Sequence, residues 1–190
     1  MGMFDLFKKK ESLVAIDYQK ELAKIISVYE KYPVFPYIPY EEGIEEWIKE
    51  MVKHPDLMIG EEYLTPNEDG LLQGELKLLE WIKGCSCQVT EFPAYFERTY
   101  GINPVTKTEE LLVDDYLDID ESINNLFYWP LTELNELLEE HHLLPGNSIA
   151  EAISVIKLNF SEEFIDDLTH PGIYVLMPKG QEMLAKYVLQ

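Results

Sequence analysis

Basic residues are scarce in this chain. Fifteen Lys and Arg stand against 36 Asp and Glu in 190 residues, a formal charge of −21. A field of that sign repels phosphate backbones and anionic membranes and favours basic or cationic partners. Cysteine is sparser still, and Cys85 and Cys87 alone exclude a disulfide framework. No run of about 18 apolar residues occurs, which excludes an ordinary membrane-spanning helix. Ten Gly and 11 Pro are too few for a collagen-like or low-complexity chain. Also missing are the phosphate-cradling GxxxxGKS/T loop, the dinucleotide GxGxxG turn, the GxSxG nucleophile elbow and the HExxH zinc helix. With none of these, no catalytic residue is nominated, and neither a metal nor a cofactor is expected.

Apolar material is plentiful. Hydrophobic residues make up 46% and aromatics 12%, enough for a buried core and too much for a disordered chain. The charge is unevenly spread. Residues 1–60 hold 8 basic and 11 acidic residues, net −3; residues 61–190 hold 7 and 25, net −18. At the start, MGMFDLFKKK puts its lysines after its apolar residues, the reverse of a signal peptide. Gly2 lacks the Ser or Thr that myristoylation wants at position 6, which is Leu6. Met3, Phe4, Leu6 and Phe7 before Lys8–Lys10 could touch a membrane surface, but one such short segment binds weakly. A cytoplasmic protein is the expectation.

Periodicity predicts a largely helical chain. Residues 11–31 carry Leu13, Ile16, Leu22, Ile25, Ile26 and Tyr29 on an amphipathic spacing. Pro33, Pro36 and Pro39 then impose an extended path on YPVFPYIPY. That stretch reads as a strap over the domain's own core, the alternative being a ligand for a proline-binding groove. A helix over 43–53 follows, then turn formers through 54–72. Further helices are expected over 71–83, over 92–100 behind Thr90 and Glu91, and from Asn103-Pro104 to about 115. Two strands, Tyr116–Asp120 and Ile123–Tyr128, are expected to pair as a hairpin. Three helices and a hairpin make a winged-helix-like arrangement. Beyond it come helices over 131–140 and from Ser148, whose Glu151 completes a capping box, a short helix over 161–168, a strand over 173–177 and a final helix over 179–189. The expected fold class is thus α+β, mainly α, with short helices and small β-hairpins. It divides into N-terminal helices and strap (1–65), a winged-helix-like unit (70–128), and a helix pair with a terminal strand and helix (129–190).

Residues 129–160, WPLTELNELLEEHHLLPGNSIAEAISVIKLNF, resemble the SAP motif, a helix–extended turn–helix named for chromatin-associated proteins. Leu131–Leu138, the turn hydrophobics Leu143 and Leu144, and Ile149–Ile156 carry the resemblance. The stretch before it, GELKLLEWIKG…FPAYFERTYGINP…LLVDDYLDI, is similar to segments that precede SAP-like modules in bacterial proteins of unassigned role. The resemblance implies Leu143, Leu144, Asn147 and Ser148 as the positions that would meet a partner. It also implies Lys-rich positions at the second helix start of DNA-binding members, where Pro145–Glu151 here has no base. Residues 129–170 hold Lys157 against nine acids, a net of −8. The expected inheritance is shape without affinity for DNA. The expected function is a non-enzymatic, acidic interaction module whose partner is a protein of basic character or a second copy of the chain. DNA binding through the helix pair and an enzyme with an unrecognised site are the alternatives. Cys85-Ser86-Cys87 is too tightly spaced for a zinc site, and the adjacent His141 and His142 point apart.

Overall fold

The computed structural model describes residues 17–38 and 43–188. The readings on residues 2–10, on Leu13 and Ile16, and on Pro39 lie outside them. The described chain is mainly helical, with one small two-stranded antiparallel sheet. Helices α1 (Tyr18–Tyr29) and α2 (Ile44–Lys53) pack together at the N-terminal end. Asp17 caps α1 by accepting the Lys20 N–H at 3.2 Å. Ile25, Tyr29, Met51, Ile59 and Leu64 make a small core there. The strap lies on the chain's own body. Val34 N–H donates to Leu64 O at 3.2 Å, Tyr37 N–H donates to Gly101 O at 2.7 Å, and Pro36 and Ile38 are buried.

The main core gathers α3 (Gln73–Ile82), α4 (Tyr95–Arg98), α5 (Pro104–Val113), β1 (Leu117–Asp120), β2 (Ile173–Leu176) and α9 (Pro178–Tyr187) around Leu78, Leu79, Ile82 and Phe96. Asn103 Oδ1 caps α5, accepting from Val105 and Thr106 at 3.0 and 3.2 Å, with Pro104 in the first turn where it forfeits no bond. Glu75 is buried at the start of α3. Its carboxylate accepts the Leu72 N–H at 2.7 Å and pairs with Lys107 at 2.9 Å. Burial pulls the Lys107 ammonium down, but its bonds to Glu110 and Glu75 outweigh this and hold it above the ordinary lysine value. Helix α4 is shorter than the expected 92–100. Phe92 precedes Pro93, which disfavours helical backbone there, and its ring instead packs on Trp81 at 5.3 Å.

The expected hairpin does not form. Residues Ile123–Tyr128 make a 3-10 helix, and β1 pairs with β2, with Leu117 opposite Leu176 and Asp120 opposite Ile173. The reason is local. The Asp120 carboxylate accepts the Ser122 N–H at 2.8 Å, and the Ser122 hydroxyl accepts the Asn124 N–H at 3.2 Å, so the chain turns into a helix instead of returning. β2, Ile-Tyr-Val-Leu, is the stronger partner because its side chains suit a half-buried pleat. Residues 84–87 run along its other edge through Gly84 N–H to Tyr174 O, Tyr174 N–H to Cys85 O and Cys87 N–H to Gly172 O. β2 and α9 therefore share the core of α3–α5, although they follow the helix pair in sequence.

Everything between β1 and β2 is an insertion with a core of its own. Helices α6 (Leu131–Glu140), α7 (Ile149–Asn159) and α8 (Glu162–Thr169) bury Leu126, Leu134, Leu138, Ala152, Ile153 and Ile156. Asn125 closes its neck by donating from Nδ2 to Thr169 O at 2.8 Å, and the Thr169 hydroxyl donates to Glu121 O at 2.7 Å.

Candidate functional site

The four positions implied by the SAP resemblance come together at one turn, between α6 and α7. Helix α6 ends before Pro145-Gly146. His142 takes the left-handed conformation at φ 61°. The His142 N–H then donates to Glu139 O at 2.9 Å, and the Leu143 N–H to Leu138 O at 2.8 Å. These are the paired bonds of a Schellman stop, and Leu143 supplies its apolar contact by packing on the insertion's core. Leu144 follows and is 83% exposed. Ser148 accepts the Glu151 N–H at 3.2 Å and so caps α7. The Glu151 carboxylate reaches back to Asn147, accepting from its backbone N–H at 2.9 Å and its side-chain amide at 3.1 Å. Asn147 and Ser148 thus spend their polar groups on holding the turn, and Leu144 is the side chain the turn presents.

Asn135 holds this turn and carries no signal in the sequence pattern. From α6 its Nδ2 donates to Gly146 O at 3.1 Å and its Oδ1 accepts the Gly146 N–H at 2.9 Å. Gly146 has to be glycine, because a Cβ there would lie 2.5 Å from Ala152 N. Asn135→Ala should cost about 1–3 kcal/mol, the price of stranding a half-buried peptide's donor and acceptor. Thermal unfolding measures the loss, and broadened amide resonances confined to 141–148 locate it.

The exposed surface of α6, α7 and α8 is acidic. Glu133, Glu136, Glu139, Glu140, Glu151, Glu162, Glu163, Asp166 and Asp167 are all exposed, with Lys157 as the exposed base of the insertion. His141 lies edge-on to Phe160 and Phe164, at 4.8 and 5.3 Å between centroids. The thiols are engaged with backbone. Cys85 Sγ donates to Trp81 O at 3.4 Å, and Cys87 Sγ to Pro171 O at 2.7 Å; burial pushes the Cys85 thiol up, away from thiolate. Among the described residues no cluster of three or more His, Cys, Asp or Glu could hold a metal, and no helix is long and apolar enough to cross a membrane.

A second surface feature is built by residues that precede the insertion in the chain. A cleft of about 480 Å3 opens where α1 and α2 meet α4. Trp47, Met51 and Ile59 give it an apolar floor, and exposed Glu46, Glu50, Glu97 and Arg98 stand on its edge. Comparison of the chain with family models, with curated proteins and with solved structures gives no match.

Proposed function

We propose that the chain is a non-enzymatic, acidic interaction module in which a SAP-like helix pair replaces the wing of a winged-helix-like frame and carries the contact for a basic protein partner. The strand arrangement supports the first half. Helix, edge segment 84–87, two helices, β1 and β2 follow in that order, with β2 between the other two extended segments, and the helix pair sits where β1 would turn into β2. The second half rests on one observation: the insertion carries nine exposed carboxylates on α6, α7 and α8, and its hydrogen-bonded α6–α7 turn presents Leu144, 83% exposed. Charge of one sign steers a partner in, and a desolvated apolar anchor holds it. Duplex DNA suits this surface poorly, because Lys157 alone faces the phosphates that supply most non-specific affinity. Self-association through the same tip would bring two acidic faces together.

The test uses a labelled peptide of alternating lysine and leucine, titrated into the full chain by fluorescence anisotropy. Binding should weaken about tenfold or more in high salt and by a similar factor on Leu144→Glu, which also leaves the circular dichroism unchanged. Labelled duplex at low salt should show no binding. Peptide binding insensitive to Leu144→Glu, or capture of duplex, would sink the reading. A Leu144-dependent dimer in sedimentation would replace the basic partner by a second copy.

A further inference from the structure

The helix pair has a surface that the Leu144 contact does not use. Helix α7 turns Ala152, Ile153 and Ile156 into the insertion's core. At about 100° per residue, Ala150, Glu151, Ser154, Lys157 and Leu158 fall together on its opposite side, and all are exposed. Leu158 is 84% exposed, the most open large apolar side chain among the described residues. Lys157 is the sole Lys or Arg between β1 and β2, and among the described residues it has no ion-pair partner. A single exposed leucine means little. The order of these residues carries more, because it is symmetric about Ser154. Ala150 and Leu158 stand four residues either side of it, Glu151 and Lys157 three.

Such a face complements itself. A second α7 laid antiparallel on it, with the two-fold axis at Ser154, sets Glu151 level with the partner's Lys157 and Lys157 level with the partner's Glu151. Leu158 falls beside the partner's Ala150, whose methyl leaves room for it. Ser154 brings no unpaired polar group to the axis, because its hydroxyl donates to Ala150 O at 2.8 Å. Asn147 occupies one oxygen of the Glu151 carboxylate, Oε2, and leaves the other for an ammonium. Helices α6 and α8 expose carboxylates and no Lys or Arg, so within the insertion a second copy finds both signs only on α7. We propose that this face of α7 is the seat of a second copy of the chain, bound antiparallel about Ser154. Both copies then use the same residues, as a closed two-fold dimer requires. One helix of 11 residues is a small contact beside the roughly 1,200–2,000 Å2 of a stable interface. Two chains of charge −21 also repel each other. The dimer is therefore weak, and it tightens as salt screens the long-range repulsion.

Sedimentation equilibrium of the full chain, at up to about 1 mM, tests this. A monomer–dimer equilibrium is expected, stronger at about 0.5 M salt than at low salt. Lys157→Glu and Glu151→Lys each set like charges against each other, and each alone should weaken the dimer about tenfold or more. An equal mixture of the two should recover it, because every crossing then joins opposite charges. Leu158→Ser should weaken it as well. Lys157→Glu and Leu158→Ser alter exposed side chains and leave the Asn147 turn intact, and circular dichroism checks the fold of all three variants. A chain that stays monomeric overturns the proposal. So does a dimer indifferent to Lys157→Glu and Leu158→Ser, or a mixture of the two folded charge variants that associates no better than either alone. Leu144→Glu should leave the dimer unchanged, which separates failure here from failure of the helix-pair reading. A dimer lost on Leu144→Glu belongs to the tip and overturns the proposal as well.

Discussion

Gly180→Ala is expected to destabilise the protein by about 1–3 kcal/mol, the usual range for forcing a group into a filled space. Helix propensity predicts the opposite sign, since Gly→Ala in a helix ordinarily gains about 0.5–1 kcal/mol. Position decides between them. Gly180 lies in the first turn of α9, and a Cβ there would fall on the carbonyl oxygen of Tyr116. That oxygen already accepts the Met177 N–H at 3.1 Å. Backbone cannot rotate away as a side-chain end can, so α9 has to shift. The shift would loosen Met183 and Leu184 from the main core and draw the Lys179 ammonium from Tyr116, 3.9 Å away at the ring centroid. Chemical denaturation of both chains gives the sign directly. A more stable Gly180→Ala protein would mean that α9 is not docked as described.

Leu138→Ala should be costlier, about 2–5 kcal/mol by the transfer and cavity terms of a fully buried leucine. Its effect should also be confined. Leu138 is 0% exposed in a core built wholly from residues between β1 and β2, and that core shares no buried residue with the one around Leu78, Leu79 and Phe96. Native-state hydrogen exchange should therefore show α6 and α7 losing protection while α3 keeps most of its own. Leu79→Ala, also 0% exposed, should lower both together, because β1 and β2 are the struts from which the insertion hangs. If Leu138→Ala strips protection equally from α3, the two cores unfold as one.

Helix positions were legible wherever the signal is a side chain meeting its own backbone. Asn103 before Pro104 and Ser148 with Glu151 each act within about one turn, so neighbouring letters suffice. The described part of the strap was legible for a similar reason, as Pro33 and Pro36 restrict their own backbone before anything packs on it. The hairpin was not. Residues 117–120 and 123–128 both alternate well enough to pair, and only the Asp120 and Ser122 turn bonds, with β2 as the competing partner, exclude it. At the tip of the helix pair, near neighbours in the chain were readable and the distant partner was not. Leu143, Leu144, Asn147 and Ser148 do meet at one turn, yet Asn135, which pins that turn from another helix, looks like any polar residue on an amphipathic face.

Composition by itself determined that the chain has a core and that its surface is strongly acidic, and local periodicity that most of it is helical. Those are sums and short-range patterns, and no folding is needed to read them. Tertiary structure decided which strand β1 takes, that β2 and α9 return to the first core, and that carboxylates far apart in the chain edge an apolar cleft. Each of these joins residues tens of positions apart, where the choice is made by competing contacts that no local window contains.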